Sequence, residues 1–327
     1  MKRITETARN PFPNSDTNKR YYTYDYYLRK TYGGKCAKVT LDAGFTCPNI
    51  DGTRGLGGCI YCSSRGSGDF APEAALSLRE QYEIQTERIN QKWDTPRFIP
   101  YLQAHTNTYG ELSRLRAVYR EVLMLPGAVA FHIATRADCL GDDVLSLLAE
   151  TSEVLPLTVE LGLQTVSDEV SARIGRGHSY DEFLDGYFRL RARVPLARVA
   201  VHIINGLPTE TREDMLRTAS TVASLSPHEV KIHLLHVLRG TVLASLYERG
   251  EYTPMRREDY VDTVVEQLRL LPPDTVIGRL TGDGKAEDLL APLWSLKKLT
   301  VINEIDKKMA LHDFVQGDLC NFNKNII

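Results

Sequence analysis

What this chain lacks narrows it before any motif is read. No apolar run in its 327 residues approaches the ~18 that a membrane-spanning helix needs. The first ten, Met1-Lys-Arg-Ile-Thr-Glu-Thr-Ala-Arg-Asn10, lack the apolar centre of a signal peptide. The formal net charge of −2 supplies no global attraction to nucleic acid, so any such contact must come from a local patch. Cysteine is scarce. Six residues without a dense, even framework exclude a secreted disulfide scaffold and fit a reducing cytosol. No stretch is rich enough in Gly, Ser or Pro to act as a linker between domains. At 43% hydrophobic and 25% charged, the composition is neither disordered nor fibrous. These absences predict a soluble cytoplasmic protein, with no membrane partner and one sizeable core.

Three of the six cysteines, Cys47, Cys59 and Cys62, crowd into one glycine-rich stretch, Asp42-Ala-Gly-Phe-Thr-Cys-Pro-Asn-Ile-Asp-Gly-Thr-Arg-Gly-Leu-Gly-Gly-Cys-Ile-Tyr-Cys62. Thiolates that close repel one another unless something positive lies between them, which points to a metal or cluster. Structural zinc normally takes four ligands, commonly from two Cys-x-x-Cys turns, and here there is one such turn plus one outlying cysteine. Three cysteines on one loop suit a 4Fe–4S cluster with one iron left open, although such clusters more often have four protein thiolates. Cys36 is a poor fourth ligand. It begins the strand Lys35–Leu41 and, at about 3.3 Å per residue, lies roughly 20 Å before the loop.

Along the chain, periodicity predicts alternating strands and helices. Strands are expected at Lys35–Leu41, Phe98–Ala104, Val129–Ala134, Leu157–Leu163, Arg198–Ile204 and Val230–Val237. Helices are expected at Glu73–Lys92, Leu112–Leu125, Asp142–Glu150, Tyr180–Arg193, Thr211–Leu225, Glu258–Leu270 and Trp294–Met309, with a further strand possible at Thr275–Leu280. Repeated βα units mean a parallel sheet. The organisation read from this is an N-terminal basic and aromatic extension (1–34), an α/β barrel core (35–240) and a C-terminal extension packed on it (241–327). Tyr21-Tyr-Thr-Tyr-Asp-Tyr-Tyr27 and Tyr32, interleaved with Lys and Arg, suit base stacking. They equally suit an amphipathic helix capping a barrel.

Parallel α/β barrels place reactive groups at the C-terminal ends of their strands. Here polar groups recur at every strand end: the three cysteines, Gln103–Tyr109, Thr135-Arg-Ala-Asp138-Cys139, Glu160 with Gln164, Asn205–Glu210, and Lys231 with His233 and His236. His233 shares a strand face with Lys231, whereas His236 should face away, so both cannot line a barrel. Cys139 reads as a buried thiol before it reads as a redox residue. The glycines of 52–58 lack a P-loop ending, and Gly282-Asp-Gly-Lys285 is a weak anion turn at most.

The cysteine loop and the strand-end pattern resemble radical S-adenosylmethionine enzymes. The phrases Asp42–Asn49, Gly57–Cys62, Glu160-Leu-Gly-Leu-Gln-Thr165, Arg176-Gly-His178, Lys231–His236 and Arg279-Leu-Thr-Gly-Asp-Gly284 are similar to the elongator-like branch, the YhcC/YtqA-type proteins. The resemblance implies a partial (β/α)6 radical-SAM barrel, a 4Fe–4S cluster on Cys47, Cys59 and Cys62, and S-adenosylmethionine on the open iron. Reductive cleavage would then yield a 5′-deoxyadenosyl radical. It further implies cofactor contacts at Tyr61, Gln103, Asn107, Arg136, Glu160, Gln164 and Gly206, with Glu160 meeting the ribose hydroxyls and Thr209 replacing a family glycine after Gly206. Arg136 is assigned a carboxylate contact or the bracing of Asp138. Lys231 and His233 are the candidate catalytic residues. The implied substrate is a transfer-RNA wobble uridine, with flavodoxin or ferredoxin as electron donor. Two other readings are the same chemistry on a small-molecule or cofactor precursor, and a non-catalytic metal-stabilised binding protein.

Overall fold

The fold is described from a computed structural model, over residues 10–320 apart from 67–70, 73 and 283. The strands are β1 (Ala37–Leu41), β2 (Phe98–Leu102), β3 (Phe131–Thr135), β4 (Leu157–Gln164), β5 (Arg198–Asn205), β6 (Glu229–Leu234), β7 (Val237–Leu238), β8 (Val276–Arg279) and β9 (Leu289–Ala291). The helices are α1 (Tyr24–Tyr32), α2 (Leu78–Asn90), α3 (Leu112–Leu123), α4 (Asp142–Val154), α5 (Asp168–Arg173), α6 (Tyr180–Arg193), α7 (Arg212–Leu225), α8 (Val242–Glu248), α9 (Arg257–Leu270) and α10 (Lys298–Leu311). The predicted start of the second helix at Glu73 lies outside the described residues.

Seven strands form one parallel sheet in the order β1-β2-β3-β4-β5-β6-β8, curved into a half-barrel. Its last strand comes from the segment read as the C-terminal extension, so Thr275–Leu280 does supply a strand. Parallel sheets survive only when both faces are covered. Accordingly Val39, Ile133, Val159, Val201 and Ile232 are fully or almost fully buried. Pro100 sits inside β2, and β2 pairs with β3 only through Tyr101 and Leu102; proline cannot donate to a ladder. The covering helices start where the sequence supplies caps. Ser77 with Glu80, Ser179 with Glu182, and Thr211 with Asp214 each form a reciprocal capping box before α2, α6 and α7.

The sixth strand is shorter than expected. β6 stops at Leu234, and Val237–Leu238 leave the barrel to pair antiparallel with β9. The N-terminal tyrosines also settle differently from the base-stacking reading. Helix α1, capped by the Thr23 side chain on Tyr26 N, lies at the N-terminal end of the strands, opposite the cysteine loop. There Leu28 is buried with Cys36, Ile99 and Ala130, and Tyr24 reaches His132 Nε2 at 3.3 Å. The rings close the base of the barrel because burying them there removes apolar area from water. Cys36 is accordingly a packed thiol. No helix among the described residues is long and apolar enough to cross a membrane.

Candidate active site

The cysteine loop follows β1 and is stitched by its own backbone. Ile50 N donates to Cys47 O at 2.8 Å, Gly58 N to Asn49 O at 2.8 Å, and Cys62 N to Cys59 O at 3.0 Å. Gly57 and Gly58 take φ +79° and +84°, the left-handed region that glycine enters without steric cost. A second loop, Ile174–His178, holds it from outside. Ile60 N donates to Ile174 O at 3.0 Å. The fully buried Asn49 amide donates to Gly175 O at 2.8 Å, Arg176 O at 2.7 Å and Cys59 Sγ at 3.5 Å. Arg176, 1% exposed, anchors that second loop by donating to the carbonyls of Leu163, Thr165 and His178.

The Cys59 thiol sits in a field that favours its anion. The Cys62 thiol hydrogen-bonds Cys59, and with help from Asn49, Arg136 and Tyr61 this outweighs burial, lowering the Cys59 thiol to about 6. Arg136 grips Asp138 with two parallel bonds of 2.9 and 2.8 Å and donates to Arg176 O at 2.7 Å. Its guanidinium therefore braces Asp138 while remaining beside the thiols. Cys139 stands apart: burial pushes its thiol up to about 12, which keeps it protonated and unreactive.

Cys47, Cys59 and Cys62 line one end of a cavity of about 630 Å³ at the C-terminal ends of the strands. That volume lies within the roughly 300–1,000 Å³ of small-ligand sites. Tyr61, Gln103, Arg136, Glu160, Gln164, Lys231 and His233 share its wall. Gln164 does so at φ +64°, donating to the Gly162 and Leu163 carbonyls at 3.2 and 2.9 Å. Asn107 and Gly206 are not on that wall. Asn107 is buried, tying the Leu102, Ala104 and Ala134 carbonyls together at 3.0–3.1 Å. Gly206 packs beneath Tyr252, whose hydroxyl donates to Gly206 O at 2.7 Å. Thr209 takes the left-handed φ of +69° at the position of the family glycine. His236 does line the cavity along with His233, contrary to strand alternation, because β6 ends two residues before it.

The floor of the cavity is a charged layer with one contributor from nearly every strand. Glu160 on β4 is fully buried. Its Oε1 accepts from Lys38 Nζ and His132 Nδ1, both at 2.7 Å, and its Oε2 accepts from His202 Nε2 at 2.9 Å and from Lys231 Nζ. A carboxylate has about four acceptor positions, and all four are taken. Burial alone would raise Glu160, but Lys231 and Lys38 overcome it and hold the carboxyl well below the usual range. Burial likewise keeps His132 neutral, lowered to about 3, and His202 neutral, lowered to about 4. His233 packs against His202 with centroids 5.0 Å apart and the rings tilted by 31°, its Nε2 buried without a hydrogen-bond partner. Sequence reasoning missed Lys38, His132 and His202; each is an inward strand position, and only the register brings them onto one carboxylate. It also missed Asn49, whose signal is its place two residues after Cys47.

No three His, Cys, Asp or Glu side chains among the described residues converge on a point that one metal ion would occupy. Residues 52–222 match the family described as the radical SAM superfamily, and residues 227–310 match a radical SAM C-terminal domain. The chain is 44% identical over 308 residues to the uncharacterized protein YtqA of Bacillus subtilis, covering 94% of this chain and 95% of that one. It is 27% identical over 158 residues to a tRNA uridine(34) acetyltransferase of Methanocaldococcus jannaschii, covering 47% of this chain and 28% of that one. Among solved structures it is similar to the archaeal Methanocaldococcus infernus Elp3, with a TM-score of 0.62 at 19% identity, covering 86% of this chain and 64% of that chain.

Proposed function

Because the chain belongs to the radical SAM superfamily, in its YhcC/YtqA-type branch, we propose that Cys47, Cys59 and Cys62 hold a 4Fe–4S cluster and that S-adenosylmethionine occupies the cavity beside them. We further propose that the substrate is a transfer-RNA wobble uridine. The carrying observation is that all three thiols line one cavity together with the Lys231–Glu160 pair. When bound and reduced by one electron, cluster and cofactor would together supply radical chemistry that abstracts a hydrogen atom from the substrate. Arg136 and Asn49 favour the Cys59 thiolate, and Tyr61 walls the cysteine end against water. Lys231 and His233 orient the substrate from the floor. The acetyltransferase relative supports the RNA substrate, and so does a mouth at the strand ends, which an anticodon-loop base enters once splayed out. Flavodoxin or ferredoxin is the electron donor of this reading.

The test is anaerobic reconstitution with iron and sulfide, then dithionite and S-adenosylmethionine, measuring 5′-deoxyadenosine with and without total transfer RNA. Product that rises with RNA is expected. Product indifferent to RNA moves the substrate to a small molecule. No product from a protein carrying full iron overturns the catalytic reading.

A further inference from the structure

We infer that Arg279, turned inward by a bulge in β8, forms with Lys231 a seat for an anionic oxygen group of the substrate, a carboxylate or a phosphate. The inference rests on the reading that this cavity takes a substrate, and it names the chemistry that the floor selects.

Strand alternation alone would aim Arg279 away from the cavity. Val230 pairs with Ile277, so the next pair in step would be Lys231 with Gly278, and Arg279 would share the outward side of Ile277. Instead Lys231 pairs with Arg279, and Gly278 is passed over. Gly278 itself faces inward, since a Cβ there would overlap Glu229 Oε1 and come within 2.9 Å of Lys231 Cγ. Yet Arg279 lines the cavity as well. Two consecutive residues on one face mark a bulge, and a bulge beside a site re-aims a side chain. The bare position at 278 leaves room for the stem of Lys231.

The result is a pair of cations at matched positions of neighbouring strands, both on the cavity wall. Like charges that close repel, more strongly away from water, unless an anion lies between them. The protein supplies little to answer them. Among the described residues that line the cavity, Glu160 is the one acid, and its acceptor positions are already taken. Glu229, wholly buried, is not on that wall, and neither of its oxygens accepts a hydrogen bond. Burial raises its carboxyl against the pull of Lys38 and Lys231, which favours its uncharged form. Arg279 brings a planar fork of donors, more than one acid can take, and Lys231 a compact ammonium. Both suit carboxylate or phosphate oxygens. The proposed cofactor is a net cation, which assigns the seat to the substrate.

The measurement is equilibrium dialysis of inorganic phosphate and of acetate, at constant low ionic strength, against the full chain reconstituted anaerobically and kept oxidised. Iron per chain and affinity for S-adenosylmethionine are recorded alongside. One of the two anions should bind the parent about tenfold more tightly than R279Q, with iron and cofactor affinity unchanged. R279K, which keeps the charge but not the fork, should fall between them. Should R279Q fold poorly, the step from parent to R279K carries the same decision. Phosphate as the tighter anion points to a nucleic-acid backbone, and acetate to a carboxylate on the substrate itself. Parent and R279Q equal for both anions, or neither anion bound, overturns the inference. The wobble-uridine reading is tested apart. Uridine carrying the preferred group, as its 5′-monophosphate or its 5-carboxylate, should bind more tightly than the free anion. No such gain removes the uridine and leaves the seat.

Discussion

The Asn49 amide lies 3.5 Å from Cys59 Sγ while donating to the carbonyls of Gly175 and Arg176 at 2.8 and 2.7 Å. One side chain therefore couples the thiol to the loop that supports it. Removing it leaves Gly175 O with only the Cys59 thiol at 3.5 Å as a donor, while Arg176 O keeps Arg136, at a cost of about 1–3 kcal/mol. Asn49→Ala should lower the thermal midpoint and at least halve the iron retained after reconstitution. Asn49→Asp should be worse, because it sets a carboxylate against a thiolate. Iron per chain equal to the parent in both variants would show that the amide has no part in holding the thiol.

Gly177 faces the same amide from the other side. It has φ +77°, and a Cβ placed there would overlap Asn49 Oδ1. Gly177→Ala combines left-handed strain of about 1–2 kcal/mol with displacement of Asn49. It should reproduce the iron loss of Asn49→Ala, and the double variant should lose little more iron than either single one. Additive losses would separate the two residues.

Among the described residues, Glu160 is the carboxylate that accepts from all of Lys38, Lys231, His132 and His202. Glu160→Gln removes the carboxylate hydrogen-bonded to both ammonium groups, leaving Glu229 as their nearby acid, and should destabilise the fold by roughly 3–5 kcal/mol in denaturant titration. Adding Lys231→Met should restore part of that loss, since it removes one of the stranded charges. A double variant less stable than Glu160→Gln alone would contradict the charge argument.

Glu210, after the left-handed Thr209, is raised by burial to about 8. In the unfolded chain its pKa is near the ordinary 4.5. Between these values the folded protein keeps a proton that the unfolded chain releases, so stability from this group is present at low pH and is lost as pH rises toward 8. From pH 5.5 to 7.5 the parent should lose roughly 2 kcal/mol more than Glu210→Gln, in which the slope is absent. Parallel stability curves for the two proteins would place the Glu210 carboxyl in water.

Much of the fold was legible because its signals are local. The Cys47–Cys62 spacing, the buried strand runs and the caps at Ser77, Ser179 and Thr211 each act within a few residues. What escaped depends on register. Nothing near Lys38, His132 or His202 announces Glu160, since they meet it only after four parallel strands align. Strand alternation placed His233 correctly but failed for His236, because it assumed that β6 continued past Leu234. The tyrosines of 21–32 have one composition for stacking on bases and for closing a barrel; only the position of α1 at the strand N-termini separates the two. Asn107 stands in a phrase at the right strand end, yet its amide is spent on three backbone carbonyls.

A half-barrel has a free edge at each end, and the outer edge of β8 is met by residues 22 and 23. Thr23 bridges Ile277, and Ile277 N donates to Tyr22 O at 2.8 Å. An uncovered edge invites strand addition by another chain. The guarding segment is synthesised first and the strand that it guards comes 254 positions later. While a nascent chain is still short of β8, the ladder groups of β6 stand open to neighbours on the same message. The vulnerable interval for aggregation is therefore late in translation, and slow decoding between β6 and β8 would prolong it.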